Sequence, residues 1–553
     1  MAPITRRDLT LAALGAAGLA TFVLFYRDAS PHAAVDLTVT REEAAQRARG
    51  FVEALGADLS EHRRAVRFGG DTEPLVFLQR TLGLDEASRW AREEVPVWTW
   101  DVRWFEPGQK EEWGVGVGVD GRIVRFAHLV EEAAPGATLD PAAARPIAET
   151  FLREHGWRLD DLEAVEHSSE QLDNRTDHRF VWERRGTTVV WHADDPAAGT
   201  GAVRLSVSVQ GDRVGSYRHY LRVPEQFSRD LSATLSVGSV LAIGSLGLTF
   251  IIVLIALGVA FVRHRRDDVR WREAITLGGA VAGLAVIAGA ASWPVAKYQY
   301  PTEIPWSVFV LGLVVGLLFI AIIYAVWVMF TAGSGESLGR ETFPESLRGW
   351  RETARGHVLS STFARASLRG YALGFVILGY LTAFYVLAQR YFGAWLPAEG
   401  PSAEIFNTYL PFLAPLTVSL VAALTEELTY RLFGISFLKR YLRSTTLALL
   451  VPAAIWAFAH SNYPVFPVYV RGIELTIAGV LFGIGFLSLG LVACVVAHFV
   501  IDAILIGLPL LSSGNPAYVV SGIVVMGIAV VPVVVVLFGR VLGRRRGPPA
   551  AIT

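Results

Sequence analysis

Three apolar stretches of the chain carry ionisable side chains at helical spacing. The first, LTEELTYRLFG, holds Glu426, Glu427 and Arg431. The second, IWAFAHSN, holds Trp456 and His460 four residues apart. The third, CVVAHFVID, holds His498 and Asp502 four residues apart, with Cys494 on the same face. A charged residue at a membrane-helix centre costs about 2.5 to 3.5 kcal/mol on insertion scales, so such groups mark function. Glu427 and Arg431 form an i,i+4 pair that can brace a helix, whereas Glu426 is rotated about 100° away and has no local partner. A buried carboxylate without a fixed partner suits general-base work, and neighbouring imidazoles suit proton shuttling or oxyanion stabilisation. The chemistry these residues support is hydrolysis by an activated water. Cys494 beside His498 also suggests a thiol nucleophile, but a lone cysteine in an apolar segment is more often a small filler.

The elements that must hold these groups are membrane helices. Of 553 residues, 52% are hydrophobic and only 18% charged, which fits a polytopic α-helical membrane protein with a soluble part. The net charge of −1 says nothing about nucleic acid, but no basic run reads as a nucleic-acid site, so no nucleic-acid partner is expected, and a single cysteine excludes an intramolecular disulfide. The opening residues, with Arg6 and Arg7 before a long apolar run, read as a signal anchor over 1–30 rather than a cleaved signal. Further apolar runs fall near 234–262, 274–295, 305–331, 368–391, 405–438, 445–462, 472–489, 490–508 and 516–539. With a requirement of about 20 residues per span, this predicts about ten transmembrane helices. Arg-rich loops at 263–273, 335–369, 439–443 and 539–546 alternate with loops nearly free of Lys and Arg. The positive-inside rule then places both termini in the cytoplasm, in a multi-pass plasma-membrane protein. At ~1.5 Å per residue, Glu426, His460 and Asp502 come out at roughly 18 to 24 Å from the cytoplasmic side. One pocket, at or beyond the midplane, can gather them.

Residues 31–232 are soluble in character, and the orientation makes them extracytoplasmic. Two stretches, TREEAAQRARGFVEALGADLS and DPAAARPIAETFLREHGWRLD, align at a constant offset: Thr40 with Asp140, Ala48 with Ala148, Phe51 with Phe151, Gly56 with Gly156. Each opens on an N-cap residue and ends on a glycine. Each is followed by alternating strands that turn at Asp120-Gly121 and Gln210-Gly211. The prediction is a duplicated α+β domain, whose pattern resembles a pair of PepSY-type domains. Its histidines, His128, His155 and His219, read as ordinary polar residues.

The order EExxxR, aromatic-xxx-His, HxxxN/D on successive apolar segments resembles the CAAX protease and bacteriocin-processing family, which includes the type II CAAX prenyl endopeptidase. The resemblance covers about residues 366–540. It departs from the usual pattern at Trp456, where phenylalanine is common, and at Asp502, where asparagine is frequent. It implies an intramembrane endopeptidase in which Glu426 activates water with help from His460. His498 and Asp502 then stabilise the tetrahedral intermediate, or Asp502 orients His498, and Glu427 with Arg431 supports the helix. The partners implied are a membrane-embedded protein or peptide substrate and the lipid bilayer. The sequence requires no cofactor; a Glu and two His could hold zinc, but no HExxH is present. Gly479 and Gly483 form a GxxxG packing face. The resulting division is 1–30 anchor, 31–232 outer domain, 233–365 three helices and a basic loop, 366–543 protease domain, and 544–553 tail. The competing readings are a non-hydrolytic scaffold or assembly factor and an ion-coupled transporter; no inverted repeat supports the latter.

Overall fold

The computed structural model describes residues 5–29, 37–192, 199–354, 360–396, 403–531 and 534. After helix α1 (Arg6–Ala29), the sheet domain begins with α2 (Arg41–Ala54). Thr40 and Glu43 close a capping box at its start, and Gly56 takes a positive φ of 92° just past its end. Strand β1 (Arg63–Gly70), helices α3 (Thr72–Leu82) and α4 (Leu84–Glu93), and strands β2 (Trp98–Phe105), β3 (Glu112–Gly118) and β4 (Ile123–Leu129) follow. The second half repeats the plan. Helix α5 (Pro141–Glu154) starts at the Asp140 cap, and Gly156 has a φ of 84°. Then come β5 (Leu162–Gln171), β6 (Thr176–Val190), β7 (Thr200–Gln210) and β8 (Arg213–Arg222).

All eight strands form one antiparallel sheet in the order β1-β2-β3-β4-β8-β7-β6-β5. It is two four-stranded meanders joined edge to edge, with Phe126 opposite Tyr217 at the seam. Phe51 of α2 packs edge-on against Phe126, and Phe151 of α5 lies tilted against Tyr217. Among the described residues the helix pair α3–α4 has no counterpart between β5 and β6.

The rest of the chain is helical: α6 (Glu225–His264), α7 (Trp271–Ala291), α8 (Trp293–Tyr298), α9 (Trp306–Thr342), α10 (Arg348–Ala354), α11 (Ser361–Phe392) and α12 (Ala403–Phe406). Then come α13 (Leu413–Glu426), a π-helical segment (Glu427–Ile435), α14 (Ser436–Leu442), α15 (Thr445–Phe458), α16 (Tyr469–Leu489), α17 (Leu491–Leu511) and α18 (Pro516–Ala529). Among the described residues, seven helices are long and apolar enough to cross a membrane: α1, α6, α7, α9, α11, α16 and α17. The sequence predicts about ten. The difference has a local cause in each case. The run expected at 405–438 changes helix type at Glu427, α15 ends at Phe458 before the turn that carries His460, and α18 ends at Ala529, capped by Val530. The basic stretch at 539–546 and the tail at 544–553 lie outside the described residues.

The surface of these helices is apolar where it faces outward. Val240 and Ile243 of α6 are each 69% exposed and Phe319 of α9 is 62% exposed, a surface suited to lipid rather than water. Helices α1 and α11 run side by side in close contact, because Gly15 and Gly18 let α1 approach Ala372 and Phe375. Asp8 pairs with Arg369 at one end (2.7 Å), and Gln389 donates to the Ala29 carbonyl at the other (2.9 Å). Arg263, Asp268, Arg340, Glu341 and Arg440 tie the ends of α6, α9 and α14 together away from the sheet. The sheet docks on the opposite ends of the helices. There the Asn407 amide bonds both backbone groups of Phe68 on edge strand β1, and Arg103 donates to the carbonyls of Tyr298 and Tyr300.

Candidate active site

The EExxxR stretch was expected as a regular helix; the structure makes it π-helical from Glu427 to Ile435. Such i→i+5 segments are uncommon and recur at functional sites. Glu427 and Arg431 are fully buried, with 3.2 Å between Nη1 and Oε1. The guanidinium also lies over the rings of Trp456 (4.3 Å) and Phe482 (4.7 Å), contacts that offset part of its desolvation.

Three segments meet at His498. Its Nδ1 is 2.8 Å from Glu427 Oε1, and its Nε2 lies 3.6 Å from Glu426 Oε2 and 3.5 Å from Asp502 Oδ2. Glu426 therefore does have partners. The spacing within its own helix could not show them, because they come from other segments: Trp456 Nε1 also donates a hydrogen bond to Glu426 Oε2. Trp456 is thus a polar contact to the candidate base. His460 joins through it, its Nδ1 standing 2.9 Å from the Trp456 carbonyl. A carbonyl only accepts, so Nδ1 carries the hydrogen and Nε2 of the neutral ring offers a lone pair. Glu426, Glu427, Arg431, His498 and Asp502 are in direct contact as one chain of charges, and His460 stands beside it.

Glu426 lies where two cavities meet. One, of about 920 Å³, is lined by α7, α9, α13 and the end of α15 and is mainly apolar. The other, of about 600 Å³, reaches His498 and Asp502 and is walled by α1, α11, α16 and α17. Val418, Ala422, Glu426, Trp456 and His460 line both. The second cavity also holds Arg471. The structure pairs it at 2.9 Å with Glu474, which is fully buried and also accepts from Tyr385. The i,i+3 spacing of Arg471 and Glu474 was the available signal.

Among the described residues no group of three or more His, Cys, Asp and Glu side chains is arranged to hold a metal. Both nitrogens of His498 face carboxylates, and Nδ1 of His460 is turned to a carbonyl, so the set does not converge on a zinc geometry. Cys494 is buried, donates to the Phe482 carbonyl, and lines neither cavity. Gly479 and Gly483 admit Ala453 and Leu449 of α15. In the sheet domain, His128 stacks on Trp113 at 3.5 Å and His155 bonds the Phe151 carbonyl. Burial pushes His219 down to about 4.

These features define a helical membrane protein with a buried carboxylate–imidazole centre. Residues 408–504 match the family described as Type II CAAX prenyl endopeptidase Rce1-like. The matched stretch contains all six expected site residues. The chain is also 25% identical over 141 residues to the sporulation-killing factor biosynthesis protein SkfC of Bacillus subtilis (strain 168), covering 26% of this chain and 28% of that protein. The match thus spans little more than a quarter of the relative's length. No solved structure matches the chain.

Proposed function

We propose that the protein is an intramembrane endopeptidase of the CAAX type, which hydrolyses a peptide bond of a membrane-embedded protein or peptide. The observation that carries this is Glu426. One of its oxygens is held by Trp456, and the carboxylate stands at the junction of two cavities beside His460 and His498. The Trp456 bond fixes the carboxylate, so its other oxygen is the one to take a proton from water. His460 Nε2 is placed to accept or relay that proton. His498, oriented by Glu427 and Asp502, supplies local positive character when protonated, and Arg431 holds Glu427 in place.

This reading puts the basic helix ends in the cytoplasm and the sheet domain outside, in a plasma-membrane protein of about ten spans. The two matched meanders and their equivalent capped helices support an internal duplication of the outer domain. Zinc is not part of the proposal.

The test is cleavage of a fluorogenic membrane-peptide panel in proteoliposomes. Wild type and Cys494→Ala are expected to cleave, and Glu426→Gln, His460→Ala and His498→Ala to lose activity. Cleavage that persists in Glu426→Gln overturns the mechanism.

A further inference from the structure

The matched family stretch begins at residue 408, yet the wall of the larger cavity comes in good part from α7 and α9, earlier in the chain. Helix α9 runs in the same direction as the motif helix, as their successive contacts show. Trp327 Nε1 donates to Thr429 Oγ1 at 2.8 Å. Further along, Gly335 lies against Leu432 and Phe433, and Gly339 against Leu432 and Ser436. One turn before Trp327 on α9 is Tyr324, and one turn before Thr429 is Glu426. Tyr324 and Glu426 thus lie on the same side of the Trp327–Thr429 bond, in the wall of one cavity. The Tyr324 and Trp327 rings lie parallel, 6.1 Å apart and 2° from coplanar in orientation, so the phenol is held by its neighbour. Tyr324 lines the cavity with Glu426 and His460 and stands within electrostatic reach of Glu426.

Hydrolysis here needs a hydrogen-bond donor for the developing oxyanion, and most candidates are occupied. Trp456 Nε1 is spent on Glu426, His460 Nδ1 on the Trp456 carbonyl, and both nitrogens of His498 face carboxylates. Trp327 is bound to Thr429, while Thr417 and Thr425 donate to carbonyls of their own helix. The Tyr430 hydroxyl meets Thr249, whose own hydrogen goes to the Ser245 carbonyl. The Tyr324 hydroxyl has no hydrogen-bond partner among the described residues. Trp293 also lines the cavity, but it packs on Trp306 (5.9 Å), roughly 27 Å before Tyr324 along α9 at the helical rise.

We propose that Tyr324 is a catalytic residue, donating a hydrogen bond from its phenol to the oxygen of the scissile carbonyl as the tetrahedral intermediate forms. Water gives a proton to Glu426 and its oxygen bonds to the carbonyl carbon. The carbonyl π pair moves to oxygen, and Tyr324 keeps its proton while bonding that oxygen. This rests on the reading of Glu426 as the base, and it gives the helices before the matched stretch a part in the chemistry.

The experiment compares wild type, Tyr324→Phe and Glu426→Gln in proteoliposomes, with a peptide that wild type cleaves. Tyr324→Phe is expected to lower kcat about 10²–10³-fold, the cost of one oxyanion donor, with KM within twofold of wild type. Site-specific 3-fluorotyrosine at 324 keeps the shape and makes the phenol a stronger donor. It is expected to retain activity with an altered kcat, and it serves as the second variant if Tyr324→Phe does not fold. Wild-type kcat in Tyr324→Phe, or a loss confined to KM, overturns the proposal while leaving Glu426 intact. Equal cleavage by wild type and Glu426→Gln overturns the parent reading and this one with it.

Discussion

Replacing Arg431 with methionine removes one charge of a fully buried pair while keeping a side chain of similar reach. Glu427 and Arg431 are 0% and 2% exposed, so water cannot solvate the carboxylate left behind. Breaking such a pair costs about 3–5 kcal/mol. His498 Nδ1 still contacts Glu427 at 2.8 Å, which favours the lower end, near 3 kcal/mol; the lost contacts to Trp456 and Phe482 are included in that figure. At 1.4 kcal/mol per tenfold, the folding equilibrium shifts by about 10²-fold. The assay is reversible SDS titration in mixed micelles, followed by tryptophan fluorescence. The double variant Glu427→Gln/Arg431→Met leaves no stranded charge and should recover at least half of the loss, a coupling of about 1.5 kcal/mol. A single variant within about 0.5 kcal/mol of wild type, or a double variant as unstable as the sum of the singles, would refute the reasoning.

Trp456→Phe keeps a ring over Arg431 but removes the donor to Glu426; a hydrogen bond to a charged group is worth about 1.5–3 kcal/mol. Initial rates should fall about 10- to 100-fold with the protein still folded, and an unchanged rate would show that the contact does not serve catalysis. Because the donor set does not converge on a metal, 1,10-phenanthroline should leave cleavage intact; reversible inhibition relieved by added zinc would contradict this. In the sheet domain, His219 sits near 4 when folded against 6.5 when exposed. Below pH 6.5 the unfolded chain therefore takes up a proton that the folded chain refuses. Stability should fall as pH drops from about 6.5 to about 4, by up to about 3 kcal/mol. His219→Gln should flatten that slope in thermal melts, and an identical slope in the variant would exclude His219 as its source.

The parts of this molecule legible in its sequence are those set by local spacing. The capping box at Thr40, the Asp140 cap, the two glycine-terminated helices and the hairpins at Gly121 and Gly211 all follow from residues within a few positions of one another. The three charged stretches were visible for the same reason. Contacts across segments were hidden: Trp456 to Glu426, Glu427 to His498, and Asn407 closing the edge of β1. The π-helical segment at Glu427–Ile435 also escaped, because nothing in its composition separates it from an α-helix. Around His460 the apolar run outlasts the regular helix, which ends at Phe458. Tyr324 was hidden by distance in the chain, since only the pairing of Trp327 with Thr429 reveals what it faces.

The measurement that bears most directly on the account is cleavage in ¹⁸O-labelled water by wild type and Glu426→Gln in proteoliposomes, with products read by mass spectrometry. The account predicts that wild type releases a new C-terminal carboxyl carrying ¹⁸O and that Glu426→Gln, folded equally well, releases none. Labelled product from Glu426→Gln at the wild-type rate would contradict it.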